Sequence, residues 1–391
     1  MPGLKIAVLV PDGAADLSLD VLGGKTPLAA AHIPNMDRIA RDGIIGTAAT
    51  VPPGIPPGSD VANLSLMGYD PTANYSGRAP IEAANLGIDI PKGWTAFRCN
   101  LVKTDGERML DYSCGHISQA ASERAIEALK ALNDEETCFY QGKSYRNIML
   151  VKGDYGSVEC TPPHDITEAP LALHMPRGAR AWRVIELMEK SRDVLAQLRD
   201  ISADMIWLWG QGGKTALESF EALYGVTGAV ISAVDIVCGI GRLAGLTIID
   251  VEGATGFLDT DYAAKGRAAI DALERGDFVF THVEAPDEAS HLGDAHEKVK
   301  ALESFDESVV APVLEHLASR GAPYRLMVAP DHPTLIKTRT HDSSPVPFAI
   351  CGAGISASGA PGFNEAEAAK RGPRFEQGWR LMGKLLDPSP W

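Results

Sequence analysis

The sequence predicts an α/β protein: a mostly parallel sheet with helices on both faces, carrying a smaller inserted α/β domain. Three observations predict it. From residue 226 onward, strand-like and helix-like stretches alternate, the pattern of a parallel sheet covered on both sides. Residues 4–10 (LKIAVLV) are apolar almost without interruption, as a strand buried on both faces must be. Between residues 89 and 225 the character changes, and strand-like pieces among helical ones suggest a separate layer. A chain of 391 residues exceeds one simple core. Segments 1–88 and 226–391 are therefore expected to form one discontinuous domain around an insertion at 89–225.

The elements follow in order. Asp12 stands just past the strand at 4–10, at the strand end where open α/β sheets gather ligands; aspartate there also suits a turn. Residues 35–42 (NMDRIARD) read as a helix stopped by Gly43. In PPGSDVANLSLMGYDP (56–71) a second helix starts at Ser59, with Val61, Leu64, Leu66 and Met67 as its apolar side. A serine at that point is an N-cap residue, its oxygen accepting a free backbone N–H. The sharper alternative is a nucleophile held at the positive end of a helix, where a phosphate or alkoxide is favoured. Residues 77–88 (GRAPIEAANLGI) form the next helix. The insertion then offers strands at 95–102, 146–151 and 204–210 and helices at 119–132 and 180–199. After residue 226 come strands at 246–250, 277–283, 324–329 and 346–351, with helices at 262–275 and 296–318.

Composition narrows the function. A formal charge of −15 repels nucleic acid and anionic membranes, so a small-molecule partner is favoured and an anionic substrate must be drawn by local cations. The six cysteines show no CxxC pair, which argues against a zinc ribbon or a disulfide framework and for a reducing compartment. No apolar run reaches the roughly 18 residues of a membrane span, and the first one, stopped by Pro11, is too short for a signal segment. Cytoplasmic residence is expected.

Two clusters bear on Ser59. In APDEASH (285–291), Asp287 and His291 are four apart, one helical turn, and so share a face. In APDHPTLIKTRTHDSSPVPF (329–348), Asp331 and His332 follow a buried strand between two prolines, and His341 precedes a run of turn residues. With Asp12 and the Ser59 hydroxyl these make three carboxylates, three imidazoles and a serine. Such a set suits two divalent cations with mixed oxygen and nitrogen ligands, manganese or zinc first, with magnesium or cobalt also admitted. Four positive charges against three carboxylates leave one to stabilise a serine alkoxide or an incoming phosphate. A serine hydrolase fits less well, since PGSDV is not a GxSxG elbow. In the insertion, Arg98, Asn100, His116, Arg146, His164 and Asp165 fall near strand ends or turns and are types suited to gripping an anion.

Taken together, PDG (11–13), GKTPLAAA (24–31), PPGSDVANLSLMGYDP, GRAPIEAA, VEAPDEASH, and APDHPT followed by THDSSPVPF resemble the archaeal-type cofactor-independent phosphoglycerate mutases of the alkaline phosphatase superfamily. The resemblance implies an alkaline-phosphatase-like catalytic domain, an inserted substrate-binding domain and a two-metal phosphoryl-transfer site acting on a small phosphorylated metabolite. It implies Asp287, His291 and His341 as ligands of one metal, and Asp12, Ser59, Asp331 and His332 as those of the other. Ser59 would accept the phosphoryl group and return it to the other glycerate hydroxyl. Lys265, in DTDYAAKG, is similar to a family lysine that helps neutralise the transferred phosphate.

The chain departs from the family in the insertion, where archaeal members carry DRRAGRI and this chain reads DYSCGHI (111–117). Tyr112, Ser113 and His116 replace three arginines, and neither tyrosine nor histidine equals a bidentate guanidinium. Bacterial members with this pattern form a subgroup proposed to be homoserine kinases, which the chain also resembles. SYRN (144–147), PPHDIT (162–167) and LWGQG (208–212) would belong to their altered pocket. A phosphatase discharging phosphoserine to water is a third use of the scaffold, and an inactive metal-binding sensor a fourth. Against the last stands the completeness of the site, all seven ligand positions holding competent atoms.

Overall fold

The computed structural model describes residues 3–387 and 389. The chain divides into two compact units, Met1–Tyr75 with Leu217–Trp391, and Ser76–Ala216. The boundaries differ from those expected at 88/89 and 225/226. Helix Arg78–Asn85 belongs to the insertion, because Ala79 and Ala83 pack with Ile90, Ala96, Ile148 and Leu150. Residues 217–225 belong to the discontinuous unit, where the Phe220 ring lies 4.6 Å from that of Phe278 and the Tyr224 hydroxyl donates to the Gly68 carbonyl.

The discontinuous unit is built on eight strands in the order Arg374–Phe375, Ile44–Ala48, Val346–Gly352, Tyr324–Val328, Lys5–Pro11, Phe278–Val283, Gly228–Ile231 and Thr247–Ile248. Only Val346–Gly352 runs against the other seven. In the centre Val8 lies between Phe280 and Met327, all fully buried, so the first strand can be apolar on both faces. One face carries helices Pro34–Asp42, Tyr262–Arg275 and Ala311–Ser319, whose Ile39, Ala269 and Leu314 join Leu9, Val279 and Leu326 in one core.

One local reading needs correction and two features go beyond the sequence reading. Ile44–Ala48 is a strand although IIGTA shows no alternation. Gly46 sits there because a Cβ would run into the Phe348 ring and the Pro373 carbonyl of the neighbouring strands. The helix expected at 296–318 is two, Ala295–Phe305 and Ala311–Ser319, joined by a π-helical turn at Asp306–Val310. The insertion carries a five-stranded sheet whose pairings are all antiparallel, with Trp94–Thr104 between Arg146–Lys152 and Met205–Gly212. Helices Gln119–Leu129 and Ala181–Leu195 cover one face through Ile126, Leu129, Val184 and Met188. Among the described residues no helix is long and apolar enough to cross a membrane.

Candidate active site

One edge of the eight-stranded sheet collects the chemistry. Asp12 follows strand Lys5–Pro11, Asp331 and His332 follow Tyr324–Val328, and helix Ala285–Leu292 starts two residues after Phe278–Val283. His341 precedes Val346–Gly352, whose reversed direction brings its beginning to the edge where its neighbours end. The discontinuous unit brings together Asp12, Ser59, Asp287, His291, Asp331, His332 and His341, all seven expected ligands.

Asp287 and His291 stand one turn apart on their helix, with His291 Nε2 3.1 Å from Asp287 Oδ2. His341 Nε2 lies 3.7 Å from Asp287 Oδ1 and 3.2 Å from His291 Nε2. His291 Nδ1 is 2.9 Å from the Arg339 carbonyl, which can only accept, so that nitrogen carries a proton and Nε2 is the one turned to the cluster. Around Ser59, His332 Nε2 is 3.2 Å from Oγ, 3.4 Å from Asp331 Oδ2 and 3.6 Å from Asp12 Oδ1. Asp331 is fixed on both oxygens: Oδ1 accepts from the Gly13 and His332 amides, and Oδ2 from Asn63 Nδ2 at 2.8 Å. Among the described residues two triads, Asp287, His332 and His341, and Asp12, His282 and Asp331, have ligand atoms within 4.8 Å of one another. His332 thus stands between the two groups.

Three buried carboxylates in one place need compensation. Burial, and then the facing Asp331 and Asp287, push the Asp12 carboxyl well above its ordinary value. Burial also pushes Asp287 up, but hydrogen bonds from His291 and His341 outweigh it and hold that carboxyl well below the usual range. Burial lowers His332, favouring a neutral ring. Asp12 uses its oxygens unequally: Oδ2 is 3.1 Å from His282 Nε2, while the buried Oδ1 has no hydrogen-bond partner. An orphaned carboxylate oxygen beside other acids and an imidazole lone pair is costly alone and is satisfied by a cation. The mixed oxygen and nitrogen donors fit a divalent ion.

Two expectations change. Ser59 is not the N-cap of its helix: Gly58 occupies that position, Ser59 is the first helical residue, and its hydroxyl turns to His332 instead of to a helix amide. Lys265 is not available to a phosphate. It is wholly buried, its ammonium 3.1 Å from both Glu284 Oε2 and the His282 carbonyl. It begins an alternating chain of charge, Lys265, Glu284, His282, Asp12. Burial opposes protonation of His282, but Asp12 and Glu284 raise it to about 10.

The insertion gathers its expected residues around a ladder of rings. Arg98 is 4% exposed, 2.8 Å from Glu82 Oε2, and lies 4.2 Å over the Trp209 ring. Asn100 accepts from Trp209 Nε1 at 3.1 Å. His164 stands edge-on to Trp209 and to Tyr112, with the exposed Asp165 beside it at 3.7 Å. Tyr112 meets Tyr145 edge-on, and Tyr145 meets His116 the same way while lying 5.4 Å from the Arg146 guanidinium.

Sequence reasoning missed His282, Asn63 and Glu82, and reached Trp209 only within LWGQG (208–212). His282 sits inside a strand, where it reads as one polar residue in a buried run. Asn63 carried a usable signal, being one turn after Ser59 and so on the same helix face.

A family model described as "2,3-bisphosphoglycerate-independent phosphoglycerate mutase" matches residues 40–199. A protein of that name from Methanothrix thermoacetophila is 47% identical over 98% of this chain and 100% of its own length. One from Methanosarcina barkeri is 48% identical over 94% of this chain and 96% of its own. A solved protein structure from Pyrococcus horikoshii, 26% identical, superposes with a TM-score of 0.83 over 100% of this chain and 99% of that one. With identity of this order along nearly its whole length, the chain belongs to the family of 2,3-bisphosphoglycerate-independent phosphoglycerate mutases.

Proposed function

We propose that the protein interconverts 2- and 3-phosphoglycerate by metal-dependent phosphoryl transfer through Ser59. The observation that carries this reading is the Ser59 hydroxyl 3.2 Å from His332 Nε2, amid buried oxygen and nitrogen donors that include the unpartnered Asp12 Oδ1. Asp287, His291 and His341 would hold one divalent ion, and Asp12, Ser59, Asp331 and His332 the other, with manganese or zinc the best match to the donors. When bound, the ions lower the serine pKa and neutralise the equatorial phosphoryl oxygens.

The chain's own residues do the rest. Ser59 Oγ forms the bond to phosphorus while the bond to one glycerate oxygen breaks in line; the other glycerate hydroxyl then takes the group back. The helix starting at Ser59 would favour a phosphoryl group on Oγ through the positive end of its dipole, although the Val61 amide already donates to Asp60 Oδ1. His282 engages Asp12 Oδ2 and so leaves Oδ1 for an ion. In the insertion, Arg98, Asn100, His116, Arg146 and His164 supply the substrate-binding set, with Trp209 and Glu82 holding Arg98 in place. Neither the kinase-like nor the phosphatase reading has a counterpart in the names of the relatives given above.

Phosphorus NMR of the manganese-loaded protein with 3-phosphoglycerate and no phosphate donor tests the reading. Appearance of 2-phosphoglycerate is expected. Release of inorganic phosphate alone, or turnover only of homoserine with ATP, would overturn it.

A further inference from the structure

Thr334 is not among the expected ligands, yet its hydroxyl lies between the two groups. It is fully buried and heads a two-residue strand paired with Thr340–His341. Oγ1 has two partners: Asp287 Oδ1 at 2.5 Å and His332 Nδ1 at 3.1 Å. A carboxylate only accepts, so the single hydroxyl proton goes to Asp287, and Oγ1 must then accept from His332. His332 Nδ1 therefore carries a proton, and Nε2 turns its lone pair toward Ser59.

The surroundings hold this link in place. Lys298, buried and paired with Asp16 at 2.9 Å, donates to the Thr334 carbonyl at 2.8 Å. The Thr334 amide donates to the carbonyls of Gly13 and Ala15. Gly13, at φ +62°, leaves the needed space: a Cβ there would lie 2.6 Å from Thr334 Oγ1 and 2.5 Å from Asp287 Oδ1.

We infer that Thr334 is a positioning residue that fixes the His332 tautomer and couples the two ligand groups through a single hydroxyl. The inference rests on the proposed two-metal reading, but the tautomer can be read without metal or turnover. Long-range proton–nitrogen NMR of the metal-free protein, labelled with nitrogen-15 in histidine and with His332 assigned by the H332N variant, is expected to show Nδ1 protonated and Nε2 bare. Thr334→Val keeps the shape and removes the hydroxyl; Thr334→Ser keeps the hydroxyl. The valine variant is expected to lose the single tautomer and to bind its weaker manganese ion roughly 10–100-fold less tightly by calorimetric titration, with serine restoring both. A wild-type ring protonated at Nε2 would overturn the inference even if the valine variant fails to fold. So would a folded valine variant whose tautomer and manganese affinities match wild type. A wild-type protein with the expected tautomer that binds no manganese and turns over no phosphoglycerate would refute the mutase reading alone.

Discussion

Ser59 and Lys265 show how differently two reactive side chains can be used on one sheet. Ser59 is half-buried and its hydroxyl is hydrogen-bonded to an imidazole nitrogen, so Ser59→Ala removes the phosphoryl acceptor and little packing. Turnover is expected to fall by at least roughly 10⁴-fold with the thermal midpoint almost unchanged, as checked by phosphorus NMR and a melting curve. Lys265 is the reverse case. Lys265→Met strands a buried carboxylate and should cost about 3–5 kcal/mol in urea denaturation. Its pH dependence follows from Glu284: burial raises that carboxyl, but Lys265 and His282 outweigh burial and hold it below its ordinary 4.5. A depressed carboxyl contributes stability that is fully present above about pH 4.5 and lost as pH falls through the folded value. Lys265→Met removes the main group that depresses Glu284, so the part of the acid loss of stability due to that carboxyl should be smaller in the variant than in wild type, as followed by urea denaturation at several pH values. Asp287, His291, Asp331 and His332 were legible from their place on a helix face or after a strand, and His341 from the THDSSPVPF stretch that resembles the family. Thr334 and His282 were not, because what they do is set by partners about 50 and 270 residues away in sequence.

At the scale of elements, the π turn Asp306–Val310 does work that no local signal announces. Helix Pro34–Asp42 begins after Ile33, which offers no capping side chain. Asp306 caps it from across the core: Oδ1 accepts the Met36 amide at 2.7 Å, and Oδ2 accepts the Asn35 amide and side chain. Burial raises this carboxyl against those bonds. Asp306→Ala would leave buried amides without acceptors and is expected to destabilise by roughly 1–3 kcal/mol in urea, with Asp306→Asn recovering part of the loss. Most strands and helices of the discontinuous unit were readable from period and punctuation. Ile44–Ala48 was not, because its pairing partners Val346–Gly352 and Arg374–Phe375 lie some 300 residues on.

For the whole molecule, the insertion is expected to fold by itself. It has its own core, and its ends meet: the Ser76 hydroxyl donates to the Gly213 carbonyl at 2.9 Å and lies 2.7 Å from Thr215 Oγ1. All the proposed metal ligands lie in the other unit. Calorimetry should accordingly show two transitions, of which only one moves down when EDTA removes the ions. One transition, or two that shift together, would count against independent units. The break in composition near residue 89 announced an insertion, but helix Arg78–Asn85 carries the same apolar spacing whichever unit it joins.

The reversed strand Val346–Gly352 has a consequence for assembly. Two adjacent parallel strands would need a crossover of a dozen or more residues returning to the opposite edge. Here the chain leaves Tyr324–Val328 and re-enters the sheet next door without leaving the reactive edge, and residues 329–345 supply Asp331, His332, Thr334 and His341 on the way. Four groups of the site are thus close in sequence as well as in space, so closing one short loop brings them together. That loop is cheap in chain entropy and independent of how the insertion folds. In metal-free protein its amides should open to hydrogen exchange as one cooperative segment, and ion binding should close them together.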